Sequence, residues 1–234
     1  MYQTDELGFK IGDFVTSSYT PTLTALLDEG RSTRFHDFQL LAIAQPCTPG
    51  QSALPNTTQE LIHIRERAGS LAITSLEGVD ATVDNVVRGM KESSWIHLAC
   101  HGIQNTTHPM KSAILLRNGE RLELSEIIRM PLPNAEFAFM SACQTAAGDK
   151  NLSEEAVHLA GGMLLAGYRS IIATMWSIKD QDAPLVADEV YAHLFMDKHP
   201  DHTQAAYALH HAIRQLRRQN VSFASWVPFI HVGI

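Results

Sequence analysis

The sequence predicts an α/β fold, a three-layer sandwich in which helices cover both faces of a mostly parallel central sheet. Short apolar runs alternate along the chain with segments of helical periodicity, and each run is nearly continuous in its apolar residues. Continuous runs of this kind are typical of strands that are buried on both faces, and their alternation with helices indicates βαβ units. Of the 234 residues, 45% are hydrophobic, which is enough for a large core.

Five apolar runs are predicted to be the strands of this sheet. They are residues 38–44, 71–75, 94–99, 137–141 and 170–175. In open α/β sheets the working residues lie just beyond the carboxyl ends of the strands. The residues that follow each run are therefore the first candidates for a site.

Five helices are predicted from the spacing of apolar residues and from capping signals. They cover residues 58–67, residues 82–91, a segment that begins at Ser153, a segment introduced by Pro184, and residues 205–216. Ser153 supplies a hydroxyl cap and is followed by two glutamates, which suit the positive end of a helix. Pro184 suits the first helical turn, where its missing amide donor is not needed.

One domain is expected to occupy residues 19–234, after a short N-terminal segment of residues 1–18. The formal net charge is −7, so a protein whose main work is binding nucleic acid is not expected. No stretch has the character of a membrane span or of a signal peptide. Three widely spaced cysteines, Cys47, Cys100 and Cys143, suit a reducing compartment, and we expect a cytoplasmic protein that has no membrane partner.

Two of the predicted strands lead into residues that can carry out chemistry. Residues 97–102 read HLACHG and end in His101 and Gly102, and residues 141–146 read SACQTA and contain Cys143. A cysteine is a nucleophile only as a thiolate, and histidine is the side chain best suited to accept its proton near neutral pH. The backbone amides of Gly102 and Cys143 could bind the oxyanion of a tetrahedral intermediate.

These two segments resemble the histidine motif and the nucleophile motif of the CHAT domain, a caspase-like peptidase domain of the clan of caspases, separases and gingipains. Three further segments are similar to that family: residues 167–172, 175–180 and 226–233. The resemblance implies a caspase-like fold and a Cys-His dyad in which Cys143 is the nucleophile and His101 is the general base. It also implies hydrolysis of peptide bonds without a metal or an organic cofactor.

The resemblance has implications for partners as well. It implies a protein or peptide substrate, cleaved in a signalling, defence or programmed cell death pathway. CHAT domains commonly follow helical repeats that recognise a partner, and no such repeats precede residue 1 here. We therefore expect a regulatory partner or a helical-repeat region that is absent from this chain.

The spacing of the two motifs bears on substrate specificity. His101 and Cys143 are separated by 42 residues, which is near the roughly 50 residues between the corresponding groups of caspases. The residues that flank Cys143 nevertheless differ from the caspase signature, which begins with glutamine and has glycine two residues after the cysteine. The specificity of caspases for aspartate is therefore not expected.

The substrate pocket of this clan is built partly by the loop after the strand that follows the nucleophile. This implies that Trp176, Ser177 and Asp180 line the pocket, with Asp182 as an outside candidate. An acidic group at the base of the pocket would favour a basic P1 side chain. Alternatively, Asp180 caps the helix near Pro184 or stabilises its own loop.

A metal site is one alternative to the dyad, because His97, Cys100, His101 and His108 lie close together in the sequence. On a strand, Cys100 faces away from His97 and His101, and no second pair supplies the spacing of a zinc site. No metal site is therefore expected. His97 is then either a core histidine or a residue that supports His101.

A catalytically silent scaffold is the second alternative. In this interpretation the caspase-like fold binds a partner protein, and Cys143 and His101 are present without being used. Chemical reactivity distinguishes the two functions, because only the peptidase predicts that Cys143 reacts faster than Cys47 and Cys100.

Overall fold

The computed structural model describes residues 14–20, 37–105, 107–141, 143–144, 156–196 and 200–233. Within these ranges it describes only the backbone of residues 143–144 and 156–158. Three parts of the sequence predictions therefore lie outside the described residues. They are the helix cap at Ser153, residues 142 and 145–146 of the nucleophile motif, and residues 1–13 of the N-terminal segment.

Among the described residues, six strands form the central sheet. They are β1 (Leu40–Ala44), β2 (Ile73–Glu77), β3 (Trp95–Ala99), β7 (Phe137–Met140), β9 (Ser170–Thr174) and β10 (Phe229–Gly233), arranged in the order β10-β9-β7-β3-β1-β2. All neighbouring pairs are parallel except that β10 runs antiparallel to β9 at one edge. The five predicted strands all occur with bounds that shift by no more than two residues. The prediction of a mostly parallel sheet is confirmed.

Four short strands form a second sheet beside the carboxyl ends of β3 and β7. They are β4 (His101–Ile103), β5 (Ala113–Leu115), β6 (Arg121–Glu123) and β8 (Cys143–Gln144), in the order β6-β5-β4-β8. Only Cys100 separates β3 from β4. No sequence pattern predicts this sheet, because strands of two or three residues are too short to show a hydrophobic period.

Helices cover both faces of the central sheet. They are α1 (Thr57–Ala68), α2 (Val83–Glu92), α3 (Leu124–Arg129), α4 (Ala156–Ala166), α5 (Ala183–Leu194), α6 (Ala205–Arg218) and α7 (Phe223–Trp226). The first, fifth and sixth pack on one face, and the second, third and fourth pack on the other. Each of the five predicted helices has a counterpart, whereas α3 and α7 were not predicted. Among the described helices, none combines the length and the apolar character needed to cross a membrane.

The two cores are separate because successive residues of a strand face opposite sides of the sheet. In β1, Leu41 and Ile43 pack in the core beneath α2, α3 and α4, whereas Leu40 packs in the core beneath α1, α5 and α6. All three leucine and isoleucine side chains are fully buried. Burial on both faces explains why the sequence of β1 is continuously apolar. The three-layer α/β sandwich is confirmed.

Residues 18–20 lie along the outer edge of β10. The backbone amide of Tyr19 donates to the carbonyl of His231 at 2.9 Å, and the amide of Gly233 donates to the carbonyl of Tyr19 at 2.9 Å. This pairing is parallel and centres on Tyr19 and Val232. Near its end, β10 is therefore hydrogen-bonded on both sides.

His231 joins this edge segment to the sheet from a buried position. Its Nδ1 lies 2.7 Å from the hydroxyl oxygen of Ser18, and its Nε2 lies 2.8 Å from the hydroxyl oxygen of Ser170. Burial lowers the pKa of His231 to about 4. The imidazole is therefore neutral at neutral pH in the folded protein, with one ring nitrogen able to donate and the other able to accept.

Acid is expected to destabilise the protein through His231. The pKa of His231 is lower in the folded than in the unfolded state, so the unfolded state binds the proton at a higher pH. The free energy of unfolding therefore falls as the pH drops from 6.5 toward 4. The contribution lost over this range is about 2–3 kcal/mol. Urea unfolding at a series of pH values is expected to show a shallower decline for His231→Gln than for the wild type. His108→Gln, which replaces an exposed histidine, is the control, and equal slopes for all three proteins would contradict the prediction.

Alanine substitutions at two adjacent glycines of α4 are expected to change the free energy of unfolding in opposite directions. A Cβ atom at Gly162 would overlap three side-chain atoms of Leu124 in α3, whereas a Cβ atom at Gly161 would meet nothing within 4 Å. Gly161→Ala is expected to raise the free energy of unfolding by up to about 1 kcal/mol through helix propensity. Gly162→Ala is expected to lower it by about 1 kcal/mol or more, because overpacking outweighs that gain. Chemical denaturation of both variants tests this, and a stabilised Gly162→Ala protein would be inconsistent with tight packing of α3 on α4.

Candidate active site

Of the described strands, five parallel ones end at one edge of the central sheet, and four neighbouring ones lead into the candidate dyad and the loops beside it. In spatial order these four strands are β1, β3, β7 and β9. β3 leads into His101 and β7 leads into Cys143, while β1 leads into residues 45–56 and β9 leads into residues 175–182. The two motif segments are therefore the central pair, with one loop on each side. This is the edge at which parallel α/β sheets carry their sites.

Strand register brings His101 and Cys143 together. In the central sheet, β3 pairs with β7 so that Leu98 lies opposite Met140. The pairing continues in the second sheet, where β4 pairs with β8 and His101 lies opposite Cys143. In both sheets the partner is 42 positions further along the chain. Because adjacent strands lie about 4.8 Å apart, the backbones of the two motif residues are direct neighbours.

One nitrogen of the His101 ring is held by a backbone carbonyl. Nε2 lies 2.7 Å from the carbonyl oxygen of Ser52. A carbonyl can only accept, so Nε2 carries the hydrogen, and the neutral ring has its lone pair on Nδ1. Nδ1 is buried and has no hydrogen-bond partner among the described residues. His101 is 1% exposed. The arrangement leaves a defined proton acceptor in a site shielded from water.

The loop after β1 holds the Ser52 carbonyl in place. The amide of Gln45 donates to the carbonyl of Ala99 at 2.9 Å, and the amide of Leu54 donates to the carbonyl of Pro46 at 2.8 Å. Leu54 is 5% exposed, so the part of the loop that carries Ser52 is folded back and packed. No sequence pattern predicts the contact of Ser52, because a backbone acceptor can belong to any residue and has no side-chain signature.

Asp180 accepts two hydrogen bonds from the residue that precedes α1. Its Oδ2 lies 2.9 Å from the backbone nitrogen of Asn56 and 2.6 Å from Asn56 Nδ2. The prediction that Asp180 caps the helix near Pro184 is wrong, because Asp182 occupies the N-cap position of that helix. Asp180 instead links the loop after β9 to the loop after β1.

Trp176 and Ser177 directly follow the Met175 that ends the predicted strand, and both are exposed. Trp176 is 40% exposed, which is a large exposure for a tryptophan. With Asp180, these residues lie in the loop next to the segment that leads to Cys143. Their role as the lining of a substrate pocket stays a prediction.

His97 is a core histidine with a partner on each ring nitrogen. Its Nε2 lies 3.1 Å from Glu60 Oε2 and its Nδ1 lies 3.2 Å from the Tyr191 hydroxyl. The ring stacks on Phe139 with 4.9 Å between centroids. Burial and the nearby Glu60 carboxylate raise the pKa of Tyr191 well above its ordinary value, so its hydroxyl stays protonated. Of the two interpretations of His97, the structure supports the core histidine.

The cluster of histidines and a cysteine near residue 100 does not form a metal site. Within the part of the chain that the structure describes, no group of three or more His, Cys, Asp or Glu side chains could hold a metal ion. Cys100 is buried in the core that contains Leu98, on the opposite side from His97. His108 is exposed.

This chain is similar to a known family and to solved structures of cysteine proteinases. The profile of the CHAT domain family matches residues 3–234. The structure of the Arg-specific cysteine proteinase gingipain R gives a TM-score of 0.50 and 14% identity, over 83% of this chain and 46% of that chain. The complex of RgpB pro- and mature domains from Porphyromonas gingivalis gives a TM-score of 0.48 and 14% identity, over 83% of this chain and 47% of that chain. This chain therefore spans about half the length of these solved chains. None of the curated protein sequences compared with it matches significantly.

Glu60 is expected to matter for stability, because it satisfies a buried nitrogen of His97. Glu60→Ala is expected to lower the free energy of unfolding by about 2–3 kcal/mol, since the donor would be left buried without an acceptor. Glu60→Gln keeps an acceptor oxygen and is expected to lose less than half as much. Urea unfolding followed by circular dichroism measures both. Glu66→Ala, on the exposed side of α1, is the control, and a Glu60→Ala protein as stable as this control would contradict the prediction.

Proposed function

This chain belongs to the CHAT domain family, and we propose that it is a cysteine peptidase that hydrolyses peptide bonds with Cys143 and His101. The observation that carries the proposal is the pairing of these two residues on adjacent strands. A thiol and an imidazole are the two groups that this type of hydrolysis needs. The similarity to gingipain R, at 14% identity, supports the fold alone, so its arginine specificity is not transferred to this chain.

The proposed reaction begins with proton transfer from the thiol of Cys143 to Nδ1 of His101. The thiolate attacks the carbonyl carbon of the scissile bond, a C–S bond forms, and the carbonyl oxygen becomes an oxyanion. The oxyanion then collapses, the C–N bond breaks, and His101 gives its proton to the leaving amine. Water then attacks the thioester carbon and forms a C–O bond, while His101 accepts a proton from that water. The C–S bond breaks, and the proton on His101 returns to the sulfur. The products are the amine, the carboxylic acid and the regenerated thiol, and no metal or organic cofactor takes part.

The Ser52 carbonyl supports this role of His101 in two ways. Its bond to Nε2 keeps the lone pair of the neutral ring on Nδ1, so the base is ready before the substrate binds. When the ring becomes charged after proton transfer, the same bond becomes charge-assisted and stabilises the imidazolium. Ser52 is therefore proposed to orient the base without touching the substrate.

Backbone amides are proposed to bind the oxyanion. The proposed donors are the amides of Gly102, which directly follows His101 on β4, and of Cys143 itself on β8. The absence of a side chain at Gly102 allows the substrate carbonyl to approach the backbone closely. Two amide donors aimed at a developing oxyanion in a water-poor site stabilise the transition state more than the substrate.

The substrate is proposed to be a protein or peptide whose P1 side chain lies beside Trp176, Ser177 and Asp180. Asp180 would favour a basic P1 residue only through its second carboxylate oxygen, because Oδ2 already accepts both bonds from Asn56. The proposal extends to cleavage of a specific partner protein at one or a few sites in a cytoplasmic signalling, defence or cell-death pathway. It also includes a regulatory partner or a helical-repeat region outside this chain.

A peptide library read by mass spectrometry tests the peptidase directly. The wild type is expected to cleave peptides, while Cys143→Ala and His101→Ala are expected to lose at least about a thousandfold in rate, since neither thiolate nor base can be replaced. Cys47→Ala and His108→Ala are matched controls, because both replace an exposed residue of the same type outside the dyad. Both controls are expected to cleave at the wild-type rate.

Alkylation with iodoacetamide supplies an independent test of the nucleophile. Cys143 is expected to react faster than Cys47, and His101→Ala is expected to remove the difference, because the base would no longer stabilise the thiolate. No cleavage by the wild type together with equal alkylation of Cys143 and Cys47 would overturn the proposal. That pair of results would favour the silent scaffold that binds a partner protein.

A further inference from the structure

The loops on the two sides of the candidate dyad are joined by the contact between Asp180 and Asn56. We propose that Asp180 is a positioning residue, which acts through Asn56 to keep the Ser52 carbonyl on His101. The inference rests on the proposed function, because it assigns a role to the same His101. It differs from the expectation that Asp180 reads the P1 side chain of the substrate.

The first support is the geometry of the contact. One carboxylate oxygen of Asp180 accepts from both the backbone nitrogen and the side-chain nitrogen of Asn56, at 2.9 and 2.6 Å. Hydrogen bonds to a charged acceptor are stronger than those between neutral groups, and two such bonds fix both the position and the orientation of Asn56. A substrate cation would have to share this carboxylate with two donors that are already in place.

The second support is the short path from Asn56 to Ser52. The two residues are separated by three positions, and one of them, Leu54, is buried. The amide and the hydroxyl of Thr57 both bond to the carbonyl of Leu54, at 3.2 and 2.8 Å. The turn between Ser52 and α1 is therefore stiff, so a displacement of Asn56 moves the Ser52 carbonyl instead of being absorbed by the turn.

The third support is the position of the contact relative to the strands of the central sheet. The loops that carry Asp180 and Asn56 follow β9 and β1, and β7 and β3 lie between these strands. The bond therefore spans the two strands that lead to Cys143 and His101. One turn further along α1, Glu60 bonds to His97 of β3, so the start of this helix is fixed to the strand that leads into the dyad histidine.

The consequence for catalysis lies in the tautomer of His101. With the Ser52 carbonyl at 2.7 Å, the hydrogen stays on Nε2 and the lone pair stays on Nδ1. If the carbonyl moves away, the neutral ring populates both tautomers, and a part of the population has no base at Nδ1. The rate then falls for every substrate, whatever its P1 side chain.

The experiment compares four variants. Asp180→Ala removes the contact, and Asn56→Asp places a second carboxylate beside the first. The exchanged pair, Asn56→Asp with Asp180→Asn, restores one carboxylate and one amide. The matched control is Asp188→Asn. Asp188 of α5 accepts two bonds of 2.7 Å from Arg67, which lies near the end of α1 opposite to Asn56.

Two readouts are measured for each variant. Long-range proton–nitrogen NMR spectra of histidine-labelled protein at pH 8 report the tautomer of His101, which is assigned by its loss in His101→Gln. Cleavage rates are measured for a set of peptides that differ only at P1. Asp180→Ala and Asn56→Asp are expected to shift the His101 nitrogens toward a mixture of tautomers and to lower kcat about tenfold for every P1 residue, with KM changed by less than about twofold.

The exchanged pair is expected to recover at least half of both effects, and Asp188→Asn is expected to match the wild type in both. The inference would be overturned if Asp180→Ala left the His101 spectra unchanged and lowered the cleavage rate only for peptides with lysine or arginine at P1. Asp180 would then be a specificity residue. Should Asp180→Ala fail to fold, the exchanged pair and Asn56→Asp decide the question. If the wild type cleaves nothing, the proposed function fails, and the tautomer spectra still test the link from Asp180 to His101.

Discussion

The parallel backbone pairing between residues 95–102 and residues 137–144 positions both residues of the candidate dyad. The two segments leave the central sheet together and pair again in the second sheet with an unchanged offset. A slip of one position would turn every side chain of a strand to the opposite face. Such a slip is opposed by the core, because β3 and β7 are buried on both faces. The chemistry at the edge of the sheet therefore depends on packing that lies several residues away.

His97 and His101 show that the same side chain has different roles four residues apart. His97 has a partner on each ring nitrogen and is enclosed by aromatic rings, so it contributes to the cohesion of the core. His101 is equally buried, but among the described residues only its Nε2 has a partner. The partner on one nitrogen decides what the other can do. The function of a histidine is thus set by the hydrogen-bond partners that neighbouring helices and loops supply.

The sequence was sufficient to predict five of the six described strands of the central sheet, the main helices, and the two motif segments that follow β3 and β7. Strands such as β1 and β7 are continuously apolar runs, and the helices between the strands have clear apolar spacing. Three features were beyond its reach. The second sheet consists of strands of two or three residues, β10 contains a histidine and a glycine that obscure its pattern, and the Ser52 acceptor is a backbone atom. The contact between Asp180 and Asn56 joins residues 124 positions apart, and no local pattern encodes it.

The segment that contains Tyr19 also affects how the protein behaves at high concentration. An open edge strand presents unpaired amides and carbonyls, and these can recruit a strand from another molecule and start aggregation. In this chain the outward groups of His231 and Gly233 are already bonded to Tyr19. A foreign strand could add at this place only after displacing residues of the same molecule. The protein therefore carries its own protection against intermolecular strand addition at the β10 edge.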